Sequence, residues 1–160
     1  DKALESQDAD YRMNPPLREK EDVEAVIAGI LDGTIDCIVT DHAPHAKREK
    51  ADFEKAPNGT VGLETSLAAG IRFLVEPGIL TMPELIRLMS TNPARILGIP
   101  AGSLKPGMPA DLAVIDERIR WTVLPERLNS KSKNTVFKFE QLKGRVRYTF
   151  VDGEIVYVMR

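Results

Sequence analysis

Ile35-Asp36-Cys37-Ile38-Val39-Thr40-Asp41-His42-Ala43-Pro44-His45 is the stretch on which both the fold and the chemistry of this chain turn. The first five residues form an apolar, β-branched run that reads as a buried strand. A carboxylate and two imidazoles follow at its C-terminal end, where the chain turns. In α/β barrels chemistry gathers at that edge of the sheet. A carboxylate there can bind a metal or move a proton, and imidazoles can bind metal, substrate or protons. The competing reading is an ordinary strand-ending turn, with Asp41 capping the next segment and Pro44 breaking regularity.

The segments on either side favour an α/β arrangement. From Glu19 to Asp32, the residues Val23, Val26, Ile27, Ile30 and Leu31 share one helical face, with acids in the first turn and Gly33 as a stop. Helix followed by strand is half of a βα repeat, and an all-apolar strand suits a parallel sheet covered on both faces. Residues 7–18 are turn-rich, and Pro15-Pro16 forces an extended path on Asn14. Residues 46–59 are charged, nearly free of apolar anchors, and read as a long surface loop. Residues 62–75 predict a helix ended by Gly78. Residues 82–90 predict another, with Pro83 in its first turn. Asn92 to Gly98 predicts a short third helix, capped by Asn92 and stopped by Gly98.

Beyond residue 102 the pattern changes to β. Strands are expected over 111–116 and 121–124, with an irregular stretch over 125–143. Asp152-Gly153 between the runs 147–151 and 154–158 is a two-residue hairpin signal. The expected organisation is therefore 1–98 as the last βα units of a barrel, and 99–160 as part of a small β-sandwich domain. Three strands and a hairpin do not easily close a domain of their own.

A net charge of −2 gives no electrostatic case for nucleic acid or an anionic membrane as partner. No apolar run reaches the length of a membrane span. The single cysteine, Cys37, excludes an intrachain disulfide framework, suits a reducing cytoplasm and reads as a packed thiol. The chain opens Asp1-Lys2-Ala3, without an initiator Met, like the middle of a helix or loop, and is expected to be a fragment of a longer one.

Several motifs resemble the C-terminal part of a class I dihydroorotase of the amidohydrolase superfamily. They are Asn14-Pro15-Pro16-Leu17-Arg18, Asp41-His42-Ala43-Pro44-His45, Ala56-Pro57-Asn58-Gly59 and Gly62-Leu63-Glu64-Thr65. Asn92-Pro93-Ala94-Arg95 and Gly107-Met108-Pro109-Ala110-Asp111-Leu112 resemble the segment many amidohydrolases carry after the barrel. The resemblance implies a metal-dependent (β/α)8 barrel with a β-sandwich. It implies reversible, zinc-dependent interconversion of L-dihydroorotate and N-carbamoyl-L-aspartate in pyrimidine synthesis. By position, Asp41 is the metal-binding and proton-shuttling aspartate, and Asn14 and His45 are substrate-binding. Asn58 and Gly59 are a pair whose main chain touches the pyrimidine ring; the family more often has an aromatic residue where Asn58 stands. Implied partners are the small-molecule substrate, a second copy of the chain, or aspartate carbamoyltransferase.

The physical chemistry agrees with that implication. Hydrolysing an unactivated cyclic amide near neutral pH needs a strong nucleophile, which zinc supplies by acidifying water. A carboxylate beside it can carry a proton to the leaving nitrogen. Asn14 can offer a donor and an acceptor to an amide ring. The family also carries a His-x-His pair, a carboxylated lysine or aspartate, and further histidines; this chain has only His42 and His45. The remaining zinc ligands are expected upstream of residue 1, and Arg18 and His42 read as an ion-pair anchor and a packing histidine. Other readings are an allantoinase- or hydantoinase-like cyclic amidohydrolase, and a non-catalytic dihydroorotase-like partner of aspartate carbamoyltransferase. Expressed alone, residues 1–160 are expected to aggregate or fold loosely and to bind zinc weakly. A cooperative thermal transition with tight, stoichiometric zinc would be the contrary result.

Overall fold

The computed structural model describes residues 2–159. The chain forms two compact units that interleave in sequence. The first contains residues up to Ile35, then Thr40–Ser66 and Thr122–Glu140; the second contains Asp36–Val39, Leu67–Trp121 and the chain from Gln141 onward.

In the first unit, α1 spans Lys20–Asp32 and ends on Gly33, whose left-handed φ of 83° breaks the helix. The expected helix is therefore present, with Glu21 and Asp22 in its first turn. Its apolar stripe is not covered among the described residues, since Val23, Val26 and Leu31 all stay exposed. Buried Ala9, Ala56, Val61, Thr65, Val123, Leu128 and Thr135 lie elsewhere in this unit. The segment after α1 departs from expectation. Residues 36–45 take no regular secondary structure and join no ladder among the described residues, and Val39 is 72% exposed. A strand exists only through its neighbours, and among the described residues the run 35–45 has three isolated main-chain bonds, Ile35 N–H to Gly29 O at 2.8 Å, Ile38 N–H to Leu88 O at 3.0 Å and Ala43 N–H to Thr60 O at 2.9 Å.

Lys138 anchors the N-terminal segment of the same unit, pairing with Asp8 and, at 3.0 Å, with Asp10. Burial works against the Lys138 charge, but its hydrogen bonds to the two carboxylates outweigh this and raise its pKa above the ordinary 10.5. For Asp8, burial pushes upward and is outweighed by Lys138, so its pKa falls below the ordinary 3.8. The signs give the pH window. Stability from Asp8 is present above 3.8 and is lost as pH falls through the depressed value; stability from Lys138 persists below 10.5 and is lost as pH rises through the raised value. Lys138→Met in the full-length protein should therefore lower the urea midpoint most near neutral pH, with the gap to wild type closing as pH falls through the depressed Asp8 value. A gap that does not change with pH would contradict the pairing.

In the second unit, α2 (Ser66–Gly70) runs on through a π-helical turn at Ile71–Val75. The next helix starts with a capping box, Thr81 with Glu84, whose carboxylate accepts from the Thr81 N–H at 2.7 Å. Here the expected division into two helices is wrong. α3 (Met82–Ile86), a π turn (Arg87–Thr91) and α4 (Asn92–Leu97) form one continuous run, and Asn92 is not a cap. Its φ and ψ of −67° and −47° are helical, and its side chain donates instead to Asp36 O at 2.7 Å. Pro93 cannot donate and crowds the turn before it. The wider turn at 87–91, closed by Asn92 N–H to Arg87 O, lets the helix pass that proline without ending. Gly98, at φ 65°, stops it as expected.

The sheet is three-stranded, in the order β1 (Leu112–Thr122), β2 (Gln141–Val151), β3 (Glu154–Val158). The two short strands expected before residue 125 are one, since β1 runs unbroken from Leu112 to Thr122 beside β2. β2 also starts earlier than its 147–151 signal. The hairpin is as expected: β2 and β3 are antiparallel, Val151 faces Glu154, and Asp152 and Gly153 both take positive φ (50° and 81°). Trp121 packs, with its indole N–H on Gly144 O at 3.1 Å and the Arg145 guanidinium 4.9 Å from its ring centre. No helix among the described residues is long and apolar enough to cross a membrane.

Candidate functional site

Asn14, Asp41, His45, Asn58 and Gly59 all fall within the first unit. Asp41 is exposed at φ 41°, in the left-handed region that aspartate enters more readily than most residues. Its carboxylate has no hydrogen bond or ion pair among the described residues. Such a backbone costs roughly 1–3 kcal/mol and is typical of functional positions. It aims an unpaired carboxylate out of the turn rather than into a cap.

The two histidines after it have different work. His42 Nδ1 accepts from the backbone N–H groups of Gly62, at 3.1 Å, and Leu63, at 3.4 Å. A neutral His42 so held carries its proton on Nε2, which leaves no free lone pair for a metal. This is the packing histidine the sequence suggested, fastening the turn to residues 62–63. His45 instead donates from Nε2 to Asn58 O at 2.9 Å. Its Nδ1 is the nitrogen left to face a ligand, and in the imidazolium form it would donate as well.

The loop between these residues is closed by two cations. The Arg12 guanidinium donates to Asn58 Oδ1 at 3.2 Å, to Phe53 O at 2.6 Å and to Glu54 O. Lys50 Nζ donates to Pro57 O at 2.9 Å and to Arg12 O at 3.4 Å. Burial, partly offset by Asp10 and Asp8 and reinforced by Arg12, lowers the Lys50 pKa from its ordinary value. Asn14, exposed and two residues beyond Arg12, is thereby carried by a segment tied to Asn58 and Gly59. Arg18 pairs with Asp22 at 2.8 Å on the surface, an ion-pair anchor as expected.

Gly59 is required by geometry. Its φ is 127°, and a Cβ there would lie 2.4 Å from Ala43 Cβ. Its N–H donates to Arg12 O at 2.9 Å. Gly59→Ala should destabilise the full-length protein by about 1–2 kcal/mol, since both the backbone region and the space forbid a methyl group. Thermal melting measures this; an unchanged melting temperature would mean that the loop relaxes freely.

One residue escaped sequence reasoning. Asn134 lies in the stretch that reads as irregular, yet it is buried. Its Nδ2 donates to Ala43 O at 3.0 Å and to Gly59 O at 3.2 Å, and its Oδ1 accepts from His45 N–H at 3.1 Å. Its own carbonyl accepts from Val61 N–H at 2.9 Å and from Thr60 Oγ1 at 3.1 Å. Nothing in local pattern marks it, because its side-chain partners Gly59, His45 and Ala43 lie 75, 89 and 91 residues away.

As a metal centre, the chain offers the unpaired Asp41 carboxylate. No three His, Cys, Asp or Glu side chains converge among the described residues. His42 is used up by backbone donors, so Asp41 fits as one oxygen ligand to a cation.

A sequence profile described as the amidohydrolase family matches residues 12–156. Curated relatives include a dihydroorotase from Geobacter metallireducens, 52% identical over 158 residues, and one from Syntrophus aciditrophicus, 49% identical over the same length. Each alignment covers 98% of this chain and 37% of the relative, so the chain spans a little over a third of these proteins. Among solved structures, an L-hydantoinase (dihydropyrimidinase) from Arthrobacter aurescens aligns with TM-score 0.85 at 26% identity, covering 99% of this chain and 38% of that one. A D-hydantoinase (dihydropyrimidinase) from Thermus sp. aligns with TM-score 0.82 at 27% identity, covering 92% and 33%.

Proposed function

Because the chain belongs to the amidohydrolase family over most of its length, we propose that it is the C-terminal portion of a zinc-dependent dihydroorotase that interconverts L-dihydroorotate and N-carbamoyl-L-aspartate. The observation that carries this reading is about 50% identity to dihydroorotases along nearly the whole chain, twice the identity to the hydantoinases that share its fold. In the same reading, residues 1–98 are the closing βα units of a barrel and residues 99–160 are strands of a composite β-sandwich.

The geometry supports a division of labour. Asp41 is one ligand to zinc and the group that holds and hands on the proton, its carboxylate having no hydrogen bond or ion pair among the described residues. When bound, zinc supplies the Lewis acidity that makes water a usable nucleophile near neutral pH. His45 binds the substrate carboxylate through Nδ1 while Nε2 is anchored on Asn58 O. Asn14 meets the ring amide. Asn58 and Gly59 present main chain to the ring. Both already hold internal bonds, through Asn58 O and Gly59 N–H, so they act as a shaped wall more than as free donors.

The test is turnover by the purified full-length protein on dihydroorotate, N-carbamoyl-L-aspartate, dihydrouracil, hydantoin and allantoin. Selective turnover of the first two is expected. Preference for hydantoin or allantoin would assign a different cyclic amidohydrolase. No turnover, together with co-purification of aspartate carbamoyltransferase, would assign a non-catalytic partner.

A further inference from the structure

Asn134 is buried, and its side chain spends three hydrogen-bonding groups on the main chain around the site. We propose that Asn134 is a positioning residue that acts through His45 and Gly59 to hold the end of the site that receives the substrate carboxylate. The proposal rests on the reading of His45 as a substrate-binding residue.

The argument is one of constraint. Asp41 and His45 lie in a segment that joins no ladder among the described residues, so no sheet there fixes their direction. Ala43 N–H donates to Thr60 O at 2.9 Å, one bond to the facing segment. Asn134 supplies the rest from a distant part of the sequence. One amide proton pair bridges the carbonyls of Ala43 and Gly59, while the amide oxygen takes the His45 N–H. This fixes the His45 backbone relative to residues 58–59, which in turn sets the 2.9 Å contact of its Nε2 with Asn58 O. That contact decides which nitrogen faces outward. Only an amide does all three jobs: a carboxylate lacks the donors, and a hydroxyl has one. The part-buried carbonyls of Ala43 and Gly59 would otherwise lose these partners, and such a loss is felt at the site as well as in stability.

The test is kinetic and is made in the full-length protein. Asn134→Ala and Asn134→Asp are both prepared. The second keeps the size and the acceptor for the His45 amide but removes both donors. Each should raise the KM for dihydroorotate about tenfold, the loss expected for misplacing one charge-assisted contact, with kcat held within about twofold. Adding either change to His45→Ala should raise KM no further, because Asn134 would act through a side chain already gone. A dihydroorotate KM unchanged in both variants would overturn the proposal. So would additive losses in the double variant, or kcat falling with KM for every substrate, since these report a general structural role. If His45→Ala itself leaves the KM unchanged, the reading of His45 fails, and crystal structures of the Asn134 variants then decide separately. A His45 ring that has left Asn58 O supports positioning; an unmoved ring refutes it.

Discussion

Asp41→Asn in the full-length protein should lower turnover by about 10²–10⁴-fold in both directions, the contribution of a positioned proton-transfer group, with any loss of metal adding to it. The substitution isolates the charge. Asparagine has the same shape and tolerates the left-handed φ of 41° as aspartate does, so the turn should survive. It has no basic oxygen to take a proton and is a poorer ligand for a divalent cation. The carboxylate has no hydrogen bond or ion pair to release among the described residues, so no structural network should fall with it. Substrate affinity should change far less than turnover. The measurement is forward and reverse kcat with metal content quantified in the same preparation. Near-normal turnover with full metal would remove Asp41 from the chemistry and leave it as a turn residue.

What was legible in the chain beforehand follows from the range of each interaction. α1 and its Gly33 stop, the Gly98 stop and the Asp152-Gly153 turn depend on neighbours a few residues away, and each appears as expected. The Asn92 reading failed because a cap signal and a proline at the next position look alike whether a helix starts there or passes through a π turn; only the tertiary bond from Asn92 to Asp36 O separates the two. The run 35–40 has the composition of a buried strand, and composition cannot say whether partners are present to bond it. The site divides in the same way. Asp41, His42 and His45 announce themselves by residue type and closeness. The two roles of the histidines do not, since His42 is decided by backbone donors 20 residues on and His45 by a carbonyl 13 residues on. Asn134 is the limiting case, an asparagine in an irregular segment whose meaning lies entirely in long-range contacts.

His45→Ala should raise the KM for dihydroorotate and narrow its preference over dihydrouracil, which lacks the carboxylate. The loss should be on the order of 1.5–3 kcal/mol, as for a charge-assisted hydrogen bond. The direction of the ring is the reason. With Nε2 committed to Asn58 O at 2.9 Å, Nδ1 is the ring nitrogen that an incoming carboxylate would meet, and a proton carried there would make the contact a charge-assisted hydrogen bond. An uncharged ring offers nothing to that nitrogen and should lose little. Truncation also frees the Asn58 carbonyl, but that cost falls on both substrates alike and cancels in the ratio. Asn14→Ala supplies the contrast. The amide it would meet is common to both rings, so its loss should weaken both evenly and leave the preference where it was. Measuring kcat/KM for the two variants on the two substrates separates a carboxylate contact from a ring contact within one data set. If His45→Ala leaves the preference for the carboxylated ring unchanged, His45 is a structural histidine that braces the 58–59 turn, and the carboxylate is held by other residues of the full-length protein.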